Sequence, residues 1–253
     1  MISQDTIRQL ATQHQTSESP NIIREYFQHV FLSELYKLPD ADRLLFKGGT
    51  ALRIVYASPR FSEDLDFSLF RTSRHELKKF VEDLFQDVLV AIARNGIAVE
   101  LGPGSDRTSG GYFGEATFQL YEYHPIPVTI NVICRDGEDV CGEVDTITND
   151  FIPTYNILHL PKEALVEEKV FGALRERQKE RDFYDLYFML RKGMLSVDQK
   201  QRLVALQDEI EAAAAKRDFR TELGAFLPRG QQQIIADFPR AFRDELRHQL
   251  GGR

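Results

Sequence analysis

No stretch of this 253-residue chain stays apolar for the ~18–20 residues that a helix needs to cross a bilayer, so no membrane span is expected. The opening MISQDTIRQLATQHQ has no signal-type apolar core either, and the default expectation is a soluble cytoplasmic protein. Cysteine is scarce. Cys134 and Cys141 flank RDGEDV, which reads as a turn, and nothing else supplies a zinc-like cluster around them, so both are expected to be reduced bystanders. Internal repeats and low-complexity tracts are absent, which sets solenoids and repeat arrays aside. Positive charge is also in short supply, with 32 Lys+Arg against 39 Asp+Glu and a net charge of −7. Such a chain should bind nucleic acid poorly through charge alone. The deficit is uneven: residues 1–160 carry 14 Lys+Arg against 23 Asp+Glu, net −9, whereas residues 161–253 carry 18 against 16, net +2. Any nucleic-acid substrate must therefore be held locally, by the more basic C-terminal part.

What is present is an ordinary globular balance, 42% hydrophobic and 28% charged, enough to bury a sizeable core in two subdomains. SPNIIREYFQHVFLSELYKL (19–38) has Ile22, Ile23, Tyr26, Phe27, Val30 and Phe31 at helical spacing behind a Ser-Pro start. DRLLF reads as a short buried strand, GTALRIVYA as a helix opening at glycines, and EDLDFSLF as a strand with alternating sides. SRHELKKFVEDLFQDVLVAIARNG predicts a helix capped at Ser73 and ended by Asn95-Gly96. GIAVEL, GYFGEATFQLYEY and IPVTINVIC are strand-like, and GPGSDRTSGG (102–111) is expected to be a mobile loop. From about residue 161 the pattern turns helical through to Leu250. Strands first and helices afterwards predict an α+β chain, with residues 1–160 as one domain and 161–253 as a helical subdomain.

Two features in LLFKGGTALRIVYASPRFSEDLDFSL (44–69) carry chemistry. A strand feeding a helix at Gly48, Gly49 and Thr50 lets backbone approach a ligand with free N–H groups pointing outward, a geometry that binds phosphate. The Thr50 hydroxyl and the Lys47 charge can add to it; a tight turn with no ligand is the plainer alternative. Residues two apart on a strand share a face, so Asp64 and Asp66 are expected to project together while Leu65 and Phe67 face the core. Two such carboxylates suit Mg²⁺, and a pair of ions can stabilise the attacking and leaving oxygens of a displacement at phosphorus. A solvated acidic edge is the bland reading, but adjacent like charges on a hydrophobic strand are unfavourable without a counter-ion.

Gly-Gly-Thr, a helix, then Asp-hydrophobic-Asp-hydrophobic on the next strand resembles the signature of the nucleotidyltransferase superfamily. Within it, FKGGTAL together with RFSEDLDF resembles the AbiEii toxin family, bacterial abortive-infection and type IV toxin–antitoxin proteins that include the MenT-type toxins. EEKVFGALRERQKERDFYDLYFML resembles that family's Lys…Arg…Arg-Asp-x-x-Asp-Leu segment, and the resemblance covers roughly residues 20–195. It implies a nucleotidyltransferase fold, a mixed sheet flanked by helices with a helical C-terminal subdomain. It also implies a nucleoside triphosphate substrate, Mg²⁺ or Mn²⁺ on Asp64 and Asp66, tRNA as acceptor through its 3′ end, and a cognate antitoxin as partner. Lys169 becomes the triphosphate cation, Arg60 and Ser62 phosphate contacts, and Asp182 or Asp185 the group that orients Lys169 or acts as base.

The second block has to break to do this. Lys169 lies thirteen and sixteen residues before Asp182 and Asp185, which at ~100° per residue puts them on different sides of an unbroken helix. RERQKE is the expected break, with Asp182 as N-cap of a new helix and Asp185 near the end of its first turn. A cap and a helix-dipole partner are equally good readings of the two acids. Phe183, Leu186, Tyr187 and Leu190 read as core, and Arg175 and Arg181 either contact RNA or pair with Glu176 or Glu180. One position departs from the superfamily pattern: VTINVIC places Asn131 where many members have a third carboxylate, and an amide cannot serve as a carboxylate base. Nucleotidyl transfer to a protein or small molecule, and a non-catalytic nucleotide-binding module, are the alternatives.

Overall fold

The computed structural model describes residues 1–107 and 111–251. It comprises two units: Met1–Ala57 with Phe61–Leu160, and Ser58–Arg60 with the chain from Pro161 onward.

The first unit runs α1 (Gln4–Gln13), α2 (Ile23–Leu35), β1 (Leu44–Lys47), α3 (Gly48–Ile54), β2 (Leu65–Leu69), α4 (Leu77–Arg94), β3 (Ala98–Leu101), β4 (Ser105–Arg107), β5 (Gly111–Gln119), β6 (Ile126–Cys134), β7 (Glu143–Ile147) and β8 (Tyr155–His159). The strands form one mixed sheet in the order β3-β5-β6-β2-β1-β8-β7, with β4 paired to β5. β1 and β2 are antiparallel, while β2–β6 and β1–β8 are parallel. The central strands β1 and β2 are buried almost throughout, as their apolar composition requires. Phe67 of β2 meets Phe46 of β1 and Phe85 of α4, and Phe27 of α2 stacks on Phe118 of β5 at 4.5 Å. These rings place the core between the sheet and the α2–α4 layer.

Several expectations need correction. The helix expected over 19–38 is α-helical only from Ile23 to Leu35, because a π-helical turn at Glu18–Ile22 precedes it and Ser19 leaves helical geometry (φ −120, ψ 138). Ser73 does not cap α4, which begins at Leu77; its hydroxyl instead bonds Glu76 Oε2 at 2.7 Å in a preceding turn. β2 begins at Leu65, so Asp64 precedes the paired strand. Of the loop expected at 102–111, Ser105–Arg107 pairs with β5 and residues 108–110 lie outside the described residues. The helix α1 and the strands β7 and β8 have no counterpart in the sequence expectations. Cys134 ends β6, buried, and Cys141 is exposed; neither is in a disulfide.

The second unit is helical. α5 (Lys162–Val166) passes through a π-helical stretch, Glu167–Ala173, into α6 (Leu174–Glu176). After a break come α7 (Glu180–Arg191), α8 (Val197–Val204), α9 (Gln207–Ala214), α10 (Phe219–Leu223) and α11 (Phe238–Leu250). Its core is aromatic: Phe183 meets Phe219 and Phe242 edge-on, and Phe238 packs on Phe219 at 4.4 Å.

Candidate active site

In the first unit the sheet register creates a row across four strands. Lys47 pairs with Asp66, Asp66 with Asn131, and Asn131 with Phe113. Asn131 Nδ2 donates to Asp66 Oδ1 at 3.1 Å, which orients the carboxylate with a neutral partner and adds no third negative charge. Lys47, only 5% exposed, ends β1 immediately before α3.

The glycine corner sits against this row. Gly48 has φ +85, and a Cβ there would lie 2.1 Å from Asp66 Oδ2. Both the left-handed backbone and the close approach of the carboxylate therefore demand glycine at this position. Gly49 is buried in the first turn of α3. Thr50 is fully buried, and its hydroxyl donates to the Asp64 carbonyl at 2.5 Å. That proton is directed to the backbone leading into β2, beside Asp64. The carbonyl of Ser62 accepts from Gln28 Nε2 at 3.1 Å.

Among the described residues no three His, Cys, Asp or Glu side chains gather as a metal cluster. Two carboxylates are nevertheless a sufficient protein contribution for Mg²⁺, which keeps waters and takes further oxygens from substrate phosphates. Asp64 and Asp66 are both partly exposed and offer hard oxygen ligands. The donor set fits that ion.

The second unit contains a different constellation. Asp185 is 1% exposed; its Oδ1 accepts from Arg60 Nε and Nη2 at 3.0 and 2.8 Å, and its Oδ2 accepts from Lys169 Nζ at 2.9 Å. Burial pushes the Asp185 carboxyl up, but Arg60 and Lys169 together outweigh it and hold the group below the usual carboxylate range. Both oxygens of Asp185 are thus engaged by cations, and Lys169 Nζ is directed by one of them.

Asp182 does not join this group. The N-cap of α7 is Lys179, and Asp182 is the third residue of the helix, where its carboxylate accepts from the Lys179 backbone N–H at 3.0 Å. Arg177 grips the same carboxylate through Nε and Nη2 at 2.9 and 2.7 Å. The N-cap expectation is off by one turn because the break falls at Arg177–Lys179, where Gln178 has φ +48. Arg181 pairs with Glu222 at 3.4 Å, a partner beyond the reach of helical spacing arguments.

A further residue at the site escapes sequence reasoning altogether. Arg24, on α2, approaches Glu63 at 3.2 Å and was indistinguishable in sequence from any helix-surface arginine.

A mixed sheet carries Asp-x-Asp at the start of a central strand beside a Gly-Gly corner, with a helical unit following, an arrangement that resembles the nucleotidyltransferase signature. Solved structures share the fold. A Helicobacter pylori protein described as a candidate nucleotidyltransferase superposes with TM-score 0.60 at 19% identity, covering 91% of this chain and 97% of its own. JHP933 from Helicobacter pylori gives TM-score 0.61 at 19% identity, covering 92% of this chain and 96% of its own. The chain belongs to the AbiEii family, nucleotidyl transferase AbiEii toxins of type IV toxin–antitoxin systems, which it matches over residues 30–252. Among curated proteins its sequence finds no match. No helix among the described residues is long and apolar enough to cross a membrane.

Proposed function

We propose that this toxin-family nucleotidyltransferase moves a nucleoside monophosphate from a triphosphate to the 3′-terminal hydroxyl of tRNA, releasing pyrophosphate and blocking translation until its antitoxin restrains it. The acceptor hydroxyl gives its proton to solvent as its oxygen forms a bond to the α-phosphorus, the bond from that phosphorus to the bridging oxygen breaks, and pyrophosphate leaves with that oxygen. The observation that carries the reading is the Lys47–Asp66–Asn131 row with Gly48 pressed against the Asp66 carboxylate. This is a constellation of an oriented acid, a cation and closely approaching backbone, as phosphoryl chemistry needs.

In this reading Asp64 and Asp66 hold Mg²⁺ or Mn²⁺. The ion, when bound, neutralises charge on the phosphates and stabilises the attacking and leaving oxygens. Asn131 fixes the Asp66 carboxylate, and Thr50 fixes Asp64 through its carbonyl. Lys47 with the Gly48-Gly49 backbone forms the nucleotide corner, and Ser62 lies in the segment that leads into it. Lys169 serves as a triphosphate cation, with its ammonium oriented by Asp185, and Arg60 supports that carboxylate. Asp182 has a helix-start role. Catalysis of this kind rests on position and charge neutralisation more than on a strong base, which suits a site with an amide at Asn131.

Incubation of the purified protein with each α-labelled triphosphate, Mg²⁺ and total tRNA tests the reading. Label should enter intact tRNA and be lost completely when periodate has oxidised the terminal ribose, while tRNA binding survives. Label entering oxidised tRNA, protein or small alcohols instead would move the acceptor elsewhere. The −9 net charge of residues 1–160 is the feature that favours such acceptors.

A further inference from the structure

Arg24 sits in the first turn of α2 and is 8% exposed, a rare state for an arginine without full pairing. Its Nη1 lies 3.2 Å from Glu63 Oε1, and its Nε is buried with no hydrogen-bond partner among the described residues. Asp64 is the second carboxylate whose charge it feels. Burial lowers the pKa of Arg24 more than Glu63 and Asp64 raise it, so these two acids compensate its charge only in part.

Holding the approach to β2 does not require this cation. Gln28, one turn further along α2, donates to the Ser62 carbonyl at 3.1 Å, and Thr50 donates to the Asp64 carbonyl at 2.5 Å. Glu25 grips Arg53 at 2.7 and 3.1 Å, and the Arg53 guanidinium lies 4.3 Å from the centre of the Phe61 ring. Residues 61, 62 and 64 are thus held by Arg53, Gln28 and Thr50. A buried guanidinium with one unpartnered donor and another held by a half-exposed carboxylate is a site for an anion, and its planar fork matches phosphate oxygens.

The geometry points to Arg24 as a substrate-binding residue that takes phosphate oxygens of the nucleoside triphosphate bound over Asp64 and Asp66. This rests on the nucleotidyl-transfer reading above and adds to it a contact from α2, outside both sequence blocks that resemble the family. Glu63, 39% exposed at its side chain, is then the resident anion that the triphosphate displaces from Arg24.

Steady-state kinetics and nucleotide titrations on Arg24→Gln, Arg24→Lys and Glu63→Gln test this, with thermal unfolding to certify each fold. Arg24→Gln should raise KM for the triphosphate at least about tenfold, the scale of a lost charge-assisted hydrogen bond, and leave the affinity for the parent nucleoside unchanged. Arg24→Lys should show a smaller rise in KM. Glu63→Gln should lower KM, and only when Arg24 is present. The assignment is overturned if Arg24→Gln weakens nucleoside and triphosphate alike, or lowers kcat at constant KM as a merely positioning role would. Should Arg24→Gln fail to fold, wild-type KM in both Arg24→Lys and Glu63→Gln is equally fatal. A wild type that binds and transfers no triphosphate brings down the underlying reading; an active wild type matched by its Arg24 variants brings down only this inference.

Discussion

Asp66 and Asp185 are both acids of the family-like blocks, yet the two units of the molecule treat them in opposite ways. Asp66 is partly exposed, oriented by the neutral Asn131 amide and close to backbone at Gly48. Asp185 is buried with Arg60 on one oxygen and Lys169 on the other. The first carboxylate lies at the partly exposed start of β2, where the proposed metal would bind; the second is buried between two cations. A pair of acids can therefore look alike in sequence while the fold gives them opposite surroundings, one partly exposed and the other buried between two cations.

The largest way to break this contrast is at Asp66. Asp66→Asn should suppress nucleotide transfer by several decades, because losing metal stabilisation removes several kcal/mol from the transition state. Its unfolding free energy should stay within about 1 kcal/mol of wild type, as for a partly exposed substitution. Near-normal turnover in a folded variant would remove Asp66 from the chemistry.

Asp185→Asn should show the opposite balance in stability. It removes the carboxylate with which the buried Arg60 and Lys169 both pair, a loss of about 3–5 kcal/mol by the usual penalty for breaking a buried pair. Urea denaturation reads this directly. Stability within 1 kcal/mol of wild type would mean that Asp185 does not carry the two cations.

Acid titration separates the units through smaller effects. His29 in the first unit is buried beside Tyr155, and burial is the main reason that its pKa is lowered from 6.5 to about 4. Between those values the unfolded chain binds a proton that the folded chain does not, so stability should fall as pH drops from about 6.5 towards 4, by at most about 3 kcal/mol. His29→Gln should flatten that slope. Asp185, with a folded pKa below its ordinary value, contributes stability that is present above the usual carboxylate range and lost only as pH falls through that range and below. A slope between 6.5 and 4 that survives His29→Gln would contradict the neutral buried histidine.

How far these arrangements were legible follows from the range of the interactions. Asp64, Leu65, Asp66 and Phe67 alternate polar and apolar over four consecutive residues, and β2 was readable from that pattern. β7 was not, because Glu143–Asp145 are all exposed on an edge strand and show no apolar alternation. The Gly48 requirement was half-readable: a glycine corner is a local signal, but the Asp66 oxygen that fills the Cβ position comes from eighteen residues away through strand pairing. The surroundings that distinguish Asp182 from Asp185 are not local. Asp182 is held by Arg177 and the Lys179 N–H five and three residues off, while Asp185 is held by Arg60, 125 residues distant. Arg24 gave no signal, since its partner Glu63 lies across a loop, a strand and a helix.

The most direct test of the account is Mn²⁺ binding in the presence of a non-hydrolysable triphosphate, followed by electron paramagnetic resonance. Wild type and Asp182→Asn should titrate alike, because Asp182 serves the start of α7, whereas Asp66→Asn should lose the protein-bound Mn²⁺ signal. Undiminished Mn²⁺ binding by folded Asp66→Asn, or its loss in Asp182→Asn alone, would contradict the assignment of the metal to the Asp64–Asp66 pair.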